Sequence, residues 1–202
     1  LHKFWRVAKC SDRFRNEYSD HGNVNCLADF GSRPFRGRIV VDVLQIIKAD
    51  HDGVRSLLFS LETSDATRRV ELIDRLRSEL AVHTKIEEAY LYPEVADLTA
   101  ERLPGFFDFC IANHRTIVRS LEQLRKSAVA AEEDDFYKSF QTLKKVVLGH
   151  FEAEEDQLMP LIRKNVSTPE REELGMVFED LKGAPELLDR ASASTSKKRT
   201  RA

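Results

Sequence analysis

The sequence predicts an all-α protein, an antiparallel up-down-up-down four-helix bundle with a short fifth helix at the C-terminal side. Three observations predict it. From Val41 onward apolar residues recur at alternating intervals of three and four, the spacing of one helix face. Four such stretches follow one another through short connections, as in an up-and-down bundle. Stop and cap residues fall between the stretches.

The first stretch runs through Leu44, Ile47, His51, Val54, Leu58 and Leu61, and Thr63, Ser64 and Asp65 supply a stop and a new N-cap. The second runs through Ile73, Leu76, Leu80, His83, Glu87 and Tyr90, and Pro93 is expected to end or kink it. After the break at Leu103, Pro104 and Gly105, the third carries Phe107, Cys110, His114, Ile117, Leu121 and Leu124. Beyond the acidic run 132–135 the fourth carries Phe136, Phe140, Leu143, Val147, His150, Glu154, Gln157 and Leu161. Ser167, Thr168 and Pro169, with Glu170 three after Ser167, signal the start of the fifth helix. Its apolar face is Leu174, Val177, Phe178 and Leu181, and Gly183 and Pro185 close it.

The domain reading that follows is an irregular extension over 1–40, a bundle over 41–163, a C-terminal helix within 164–190, and a low-complexity basic tail over 191–202. Residues 1–40 show no sustained period, and the chain starts at Leu1 with methionines only at Met159 and Met176, so a native start near Val40 or Val41 is expected. Charge is uneven: residues 1–40 hold eight Lys/Arg against four Asp/Glu, while residues 41–190 hold 20 against 30. An acidic body argues against nucleic-acid binding by the folded part. No apolar run approaches the roughly 18 residues that cross a bilayer, so no membrane association is expected. Cys10, Cys26 and Cys110 are sparse, odd in number and without CxxC spacing, which favours a reducing, cytoplasmic setting over a disulfide framework.

The chemistry lies in an internal repeat. HTKIEEAYLYP at 83–93 and HFEAEEDQLMP at 150–160 share the pattern HxxxEExxLxP, and each follows a helix with a single seam histidine, His51 or His114. Six ionisable residues, His51, His83, Glu87, His114, His150 and Glu154, thus occupy seam positions that are otherwise mostly Leu, Ile, Val and Phe. Burying an unpaired carboxylate costs several kcal/mol, and no Lys or Arg lies on these seams to compensate. A pair of metal cations would, with imidazole nitrogen and carboxylate oxygen as donors suited to iron. His83 with Glu87, and His150 with Glu154, stand at i and i+4, so one helix can offer both donors to one ion. Glu88 and Glu155, one step round, are read as supporting or solvated neighbours. Tyr90 and Gln157 are read as core residues that could border the pocket, and Cys110 as a small buried hydrophobe. His2 and His21 lie outside the periodic region and receive no role. The HExxH template of zinc peptidases fails at Thr84 and Phe151, and the ExxH pairs of ferritin-like diiron bundles are disfavoured by the HxxxE order found here.

With a lone histidine in ADHD, two HxxxEE segments ending in Pro and a third-helix histidine, residues 41–163 resemble the hemerythrin-like HHE cation-binding domain. The resemblance implies a four-helix bundle around two non-haem iron ions (Fe2+/Fe3+), bridged by two carboxylates and an oxo or hydroxo group. By position it makes His51, His83, Glu87, His114, His150 and Glu154 the ligands. The oxygen-carrying hemerythrins of marine invertebrates have a fifth histidine on the third helix, where the residues four from His114 are Cys110 and Val118. They place an aspartate five after the last histidine, where this chain has Glu155, so Glu154 and Glu155 both stand as candidates. Six residues with bridging carboxylates give about eight bonds against about twelve for two octahedral irons, leaving roughly four positions for water or a small ligand. The expected function is binding or reacting with a small oxidant (O2, NO or H2O2) in sensing, detoxification or iron handling. A metal-stabilised regulatory or interaction module without redox turnover is the alternative.

Overall fold

The structure, a computed structural model, describes residues 41–184. The extension expected over 1–40 and the tail over 191–202 lie outside the described residues. Every regular element within them is helical. In chain order these are α1 (Val43–Glu62), α2 (Ala66–Ile86), a π turn (Glu87–Leu91), α3 (Tyr92–Ala100), α4 (Phe106–Ala130), α5 (Glu133–Ala153), a second π turn (Glu154–Leu158), α6 (Met159–Asn165) and α7 (Thr168–Gly183).

Local chemistry sets the ends. The Asp42 carboxylate accepts from Leu44 N, and the Asp65 carboxylate accepts from Thr67 N and Arg68 N, each taking up N–H groups that a first turn leaves without partners. Gly105 turns the chain into α4 with φ of 75°, and Ala131 closes α4 in the left-handed region. The Glu170 carboxylate accepts from Ser167 N and Oγ at the start of α7.

Of the two outcomes expected at Pro93, an end or a kink, the helix does not end there. The chain runs from α2 through the π turn into α3 without a break, and α5, the second π turn and α6 do the same across Pro160. Each π turn places one extra residue in the helix and rotates everything after it. The expected face is therefore displaced: Gln157 is exposed and Leu161 and Tyr90 only half-buried, while Tyr92, Met159 and Ile162 point inward.

The long helices neighbour one another in a ring, α1 touching α2, α2 touching α4, α4 touching α5 and α5 touching α1, with α7 laid on α1. Their apolar faces form two clusters. One holds Ile47, Ile86, Leu91, Cys110, Leu158 and Ile162, together with Leu174, Phe178 and Leu181 of α7. The other holds Val54, Leu58, Leu80, Ile117, Leu121, Phe140, Val147 and Phe151. On α1, α2 and α4 the seam histidine falls between a member of one cluster and a member of the other, and His150 and Glu154 fall between Val147 of the second cluster and Leu158 of the first. The polar residues thus make a layer enclosed by apolar packing on both sides. Among the described residues, no helix is long and apolar enough to cross a membrane.

Candidate metal centre

All six seam residues reach this layer: His51, Glu87 and His150 are 0% exposed, Glu154 1%, His114 3% and His83 4%. The i,i+4 spacing does what helical geometry demands, with His83 Nε2 3.1 Å from Glu87 Oε1 and His150 Nε2 3.5 Å from Glu154 Oε2. The single histidines complete the layer from the other helices. His51 Nε2 is 3.4 Å from Glu154 Oε2, His114 Nε2 is 3.5 Å from Glu87 Oε2, and the Nε2 atoms of His114 and His150 are 3.0 Å apart.

Donor atoms of His51, His83, Glu87 and Glu154 lie within 4.8 Å of one another, and so do those of Glu87, His114 and His150. Glu87 belongs to both groups, with one oxygen toward His83 and the other toward His114. A third grouping, of Cys110, His150 and Glu154, brings the Cys110 thiol to the layer, where burial and the neighbouring carboxylates push its pKa up.

The outer ring nitrogens show how the histidines are aimed. Glu155 Oε1 lies 2.7 Å from His51 Nδ1 and Glu88 Oε1 lies 2.7 Å from His114 Nδ1. The second glutamate of each HxxxEE segment thus serves the histidine of the other half, and Arg55 holds Glu155 at 2.8 Å. Glu154, buried among the imidazole nitrogens, and Glu155, engaged by Arg55 and the back of His51, stand in different places.

Charge follows this geometry. Burial pushes the Glu87 carboxyl up, but the surrounding His83, His114 and His150 hold it well below the usual carboxylate range. Burial opposes protonation of His83, yet Glu87 and Asp50 raise it to about 10. Against the same penalty, Glu87 and Glu88 raise His114 to about 9. His150 is lowered, chiefly by burial.

Sequence reasoning missed three residues here. Tyr92 Oη donates to Glu154 Oε1 at 2.7 Å and lies 3.4 Å from both Glu87 Oε2 and His114 Nε2. Its phenol, raised well above its ordinary value by burial and the two carboxylates, is a donor at the boundary of both halves, and Phe107 stacks on its ring at 4.6 Å. Phe151 stacks on His51 at 3.8 Å and fixes that ring from the side. Asp50 Oδ2 stands 3.5 Å behind His83 Nδ1. The repeat signalled Asp50 and Phe151 only by adjacency to His51 and His150, and the π turns concealed Tyr92.

The donor set fits a metal. His51 Nε2, His83 Nε2, Glu87 Oε1 and Glu154 Oε2 are buried without a hydrogen-bond partner among the described residues, although ordinary interiors satisfy such atoms. They converge on one another, and a cation would satisfy all four.

A helical bundle enclosing a buried layer of imidazole and carboxylate donors is a metal-binding bundle. The chain belongs to the hemerythrin family: residues 42–162 and 105–197 match the hemerythrin HHE cation binding domain. A protein of Nostoc sp. (strain PCC 7120 / SAG 25.82 / UTEX 2576) named DNA nickase is 26% identical over 143 residues, which cover 70% of this chain and 39% of that protein. The chain therefore spans less than half the length of that relative. No solved structure matches.

Proposed function

We propose that the layer holds two iron ions and that the protein binds or reacts with a small oxidant, O2, NO or H2O2, in sensing, detoxification or iron handling. The observation that carries this is the convergence of buried imidazole and carboxylate donors in two groups sharing Glu87, the first of them with four donor atoms that have no hydrogen-bond partner among the described residues. His51, His83, Glu87 and Glu154 would hold one ion, and Glu87, His114, His150 and Glu154 the other. Two irons bound there would supply one-electron redox chemistry and open positions for a ligand. The chain's own residues do the rest. Glu155 and Glu88 fix the rings of His51 and His114, Tyr92 offers an O–H to the layer, and the apolar clusters exclude water and bulky molecules. A layer whose members are all at most 4% exposed suits a diatomic or peroxide ligand better than a larger one.

The same reading takes residues 41–163 as an antiparallel up-down-up-down bundle in a cytoplasmic protein, with the helix of 164–190 packed on it. Supporting the direction of the helices, His51 pairs with Glu155 and Glu62 with Lys144, so positions on α1 rise as those on the fourth long helix fall. Asp74 with Arg125 and Glu88 with His114 repeat the relation between the second and third. DNA nicking, the activity in the relative's name, is not expected of the described residues, whose 19 Lys/Arg against 28 Asp/Glu over 41–184 repel a phosphate backbone. Relaxation of supercoiled plasmid by the iron-loaded protein would overturn that.

The test of the main reading is metal content and the ultraviolet-visible spectrum of protein from iron-supplemented cells, before and after anaerobic reduction and return to air. About two irons per chain, with visible bands that bleach on reduction, are expected. Zinc alone, or no metal, would refute it.

A further inference from the structure

Three of the four inward histidines have a carboxylate at the outer ring nitrogen, and what anchors each carboxylate differs. Glu155, behind His51, is held by Arg55 of α1, and Glu88, behind His114, is half-exposed. Asp50, behind His83, is held from outside the four long helices: its Oδ1 takes the Lys182 ammonium of α7, leaving Oδ2 facing His83 Nδ1 at 3.5 Å. That is an ion-pair distance, and His83 Nδ1 has no hydrogen-bond partner among the described residues, so the position of Asp50 decides whether this carboxylate acts on the ring by charge alone or as an acceptor.

The seating of α7 is fixed independently of this pair. Leu174, Phe178 and Leu181 are buried in the first apolar cluster, and Arg171 Nε donates to Asp42 Oδ2 at 2.7 Å. Gly175 lies so close to α1 that a Cβ there would fall 1.9 Å from the Val41 carbonyl oxygen. The helix thus has one depth of docking, and that depth brings Lys182 to Asp50.

We propose that Lys182 and Asp50 are positioning residues for the metal centre, through which the seating of α7 sets how firmly the His83 half keeps its ion. The proposal rests on the reading of the six residues as iron ligands. A carboxylate behind a ligating histidine fixes ring rotation and keeps the proton on the outer nitrogen, so that the inner nitrogen faces the metal. Lys182 pins one oxygen of Asp50 and thereby aims the other. Because neither Glu155 nor Glu88 touches α7, the effect is confined to one of the two ions.

The full chain, loaded anaerobically with ferrous iron, is challenged with a chelator and iron release followed in time. Loss of the partner behind a metal-ligating histidine typically weakens metal binding about 10–100-fold, so Asp50→Asn should release one of two irons about tenfold faster or more. Lys182→Gln should accelerate the same phase by a smaller factor, Lys182→Arg should restore it, and Gly175→Ala, which displaces α7 without touching either charge, should also speed it. Lys144→Gln removes an ion pair to Glu62 that touches no histidine, and should release iron as the wild type does. Wild-type kinetics in Lys182→Gln, or equal acceleration of both irons in Lys182→Gln and Lys144→Gln, would overturn the proposal while leaving the iron site intact. A wild type that binds no iron would instead bring down the site reading and this proposal with it.

Discussion

Replacing Glu87 by glutamine keeps the shape of the side chain and removes one charge, and the geometry says what that costs. One oxygen of Glu87 faces His83 Nε2 at 3.1 Å and the other faces His114 Nε2 at 3.5 Å, in a residue with no exposed surface. Without metal, His83 raised to about 10 and His114 raised to about 9 are protonated at neutral pH, and Glu87 is their shared counter-charge. Removing one partner of a buried ion pair costs about 3–5 kcal/mol. The imidazoles can shed their protons in the variant, so the lower end, about 3 kcal/mol, is expected. At roughly 2–4 °C per kcal/mol for a chain of this size, the metal-free variant should melt about 6–12 °C lower. The pH dependence fixes the cause. The folded value of His83 lies above its ordinary 6.5, so the stability it contributes is fully present below 6.5 and lost as pH rises through about 10. The deficit of Glu87→Gln should therefore be greatest in mild acid and shrink toward pH 10. In iron-loaded protein the content should fall from two ions to at most one, because both groups use this carboxylate. Thermal unfolding across pH and metal analysis measure the two effects. Two irons retained, or a deficit that does not shrink with rising pH, would refute the reasoning.

Tyr92→Phe removes the donor to Glu154 and keeps the ring that stacks on Phe107. A hydrogen bond to a charged group contributes about 1.5–3 kcal/mol, so urea unfolding of the metal-free variant should show a loss of that order, while iron content stays at two. Gly175→Ala forces a Cβ to 1.9 Å from the Val41 carbonyl and should destabilise by about 1–3 kcal/mol despite alanine's better helix propensity. Gly149→Ala, where a Cβ meets nothing within 4 Å, should instead stabilise by about 0.5–1 kcal/mol, and the opposite signs in paired denaturant titrations would locate the effect in the seating of α7.

The helices and the six inward residues were legible because a straight α-helix carries its seam at intervals of three and four, and His51, His83, Glu87, His114, His150 and Glu154 all precede or begin the π turns. Up to those points the counting is right, and His51, His83, His114 and His150 come out buried with the two glutamates. Past them it fails by one residue. That is why counting points Tyr90 and Gln157 inward when Leu91 and Leu158, one residue on, are buried there, followed by Tyr92 and Met159. Asp50 and Lys182 were out of reach for another reason: no pattern along the chain reports that residues 132 apart meet across two helices.

The repeat nevertheless contained the missing signal, in the proline that closes both segments. A proline within a helix has no N–H to give and presses on the carbonyl four residues back, here Ala89 for Pro93 and Asp156 for Pro160. A helix can absorb both problems without breaking by widening the turn just before the proline, and that is where the wider bonds are found: Tyr92 N–H donates to Glu87 O, and Met159 N–H donates to Glu154 O, each five residues back. The widened turn begins at the glutamate of each half and brings the fifth residue beneath it. In the first half that residue is a tyrosine whose hydroxyl reaches Glu154, and in the second a methionine that joins the apolar cluster. HxxxEExxLxP therefore encodes more than two donors at i and i+4. It also encodes a register shift that brings a phenol to the centre in one half and only an apolar core residue in the other, so two sequence-equivalent halves need not be chemically equivalent.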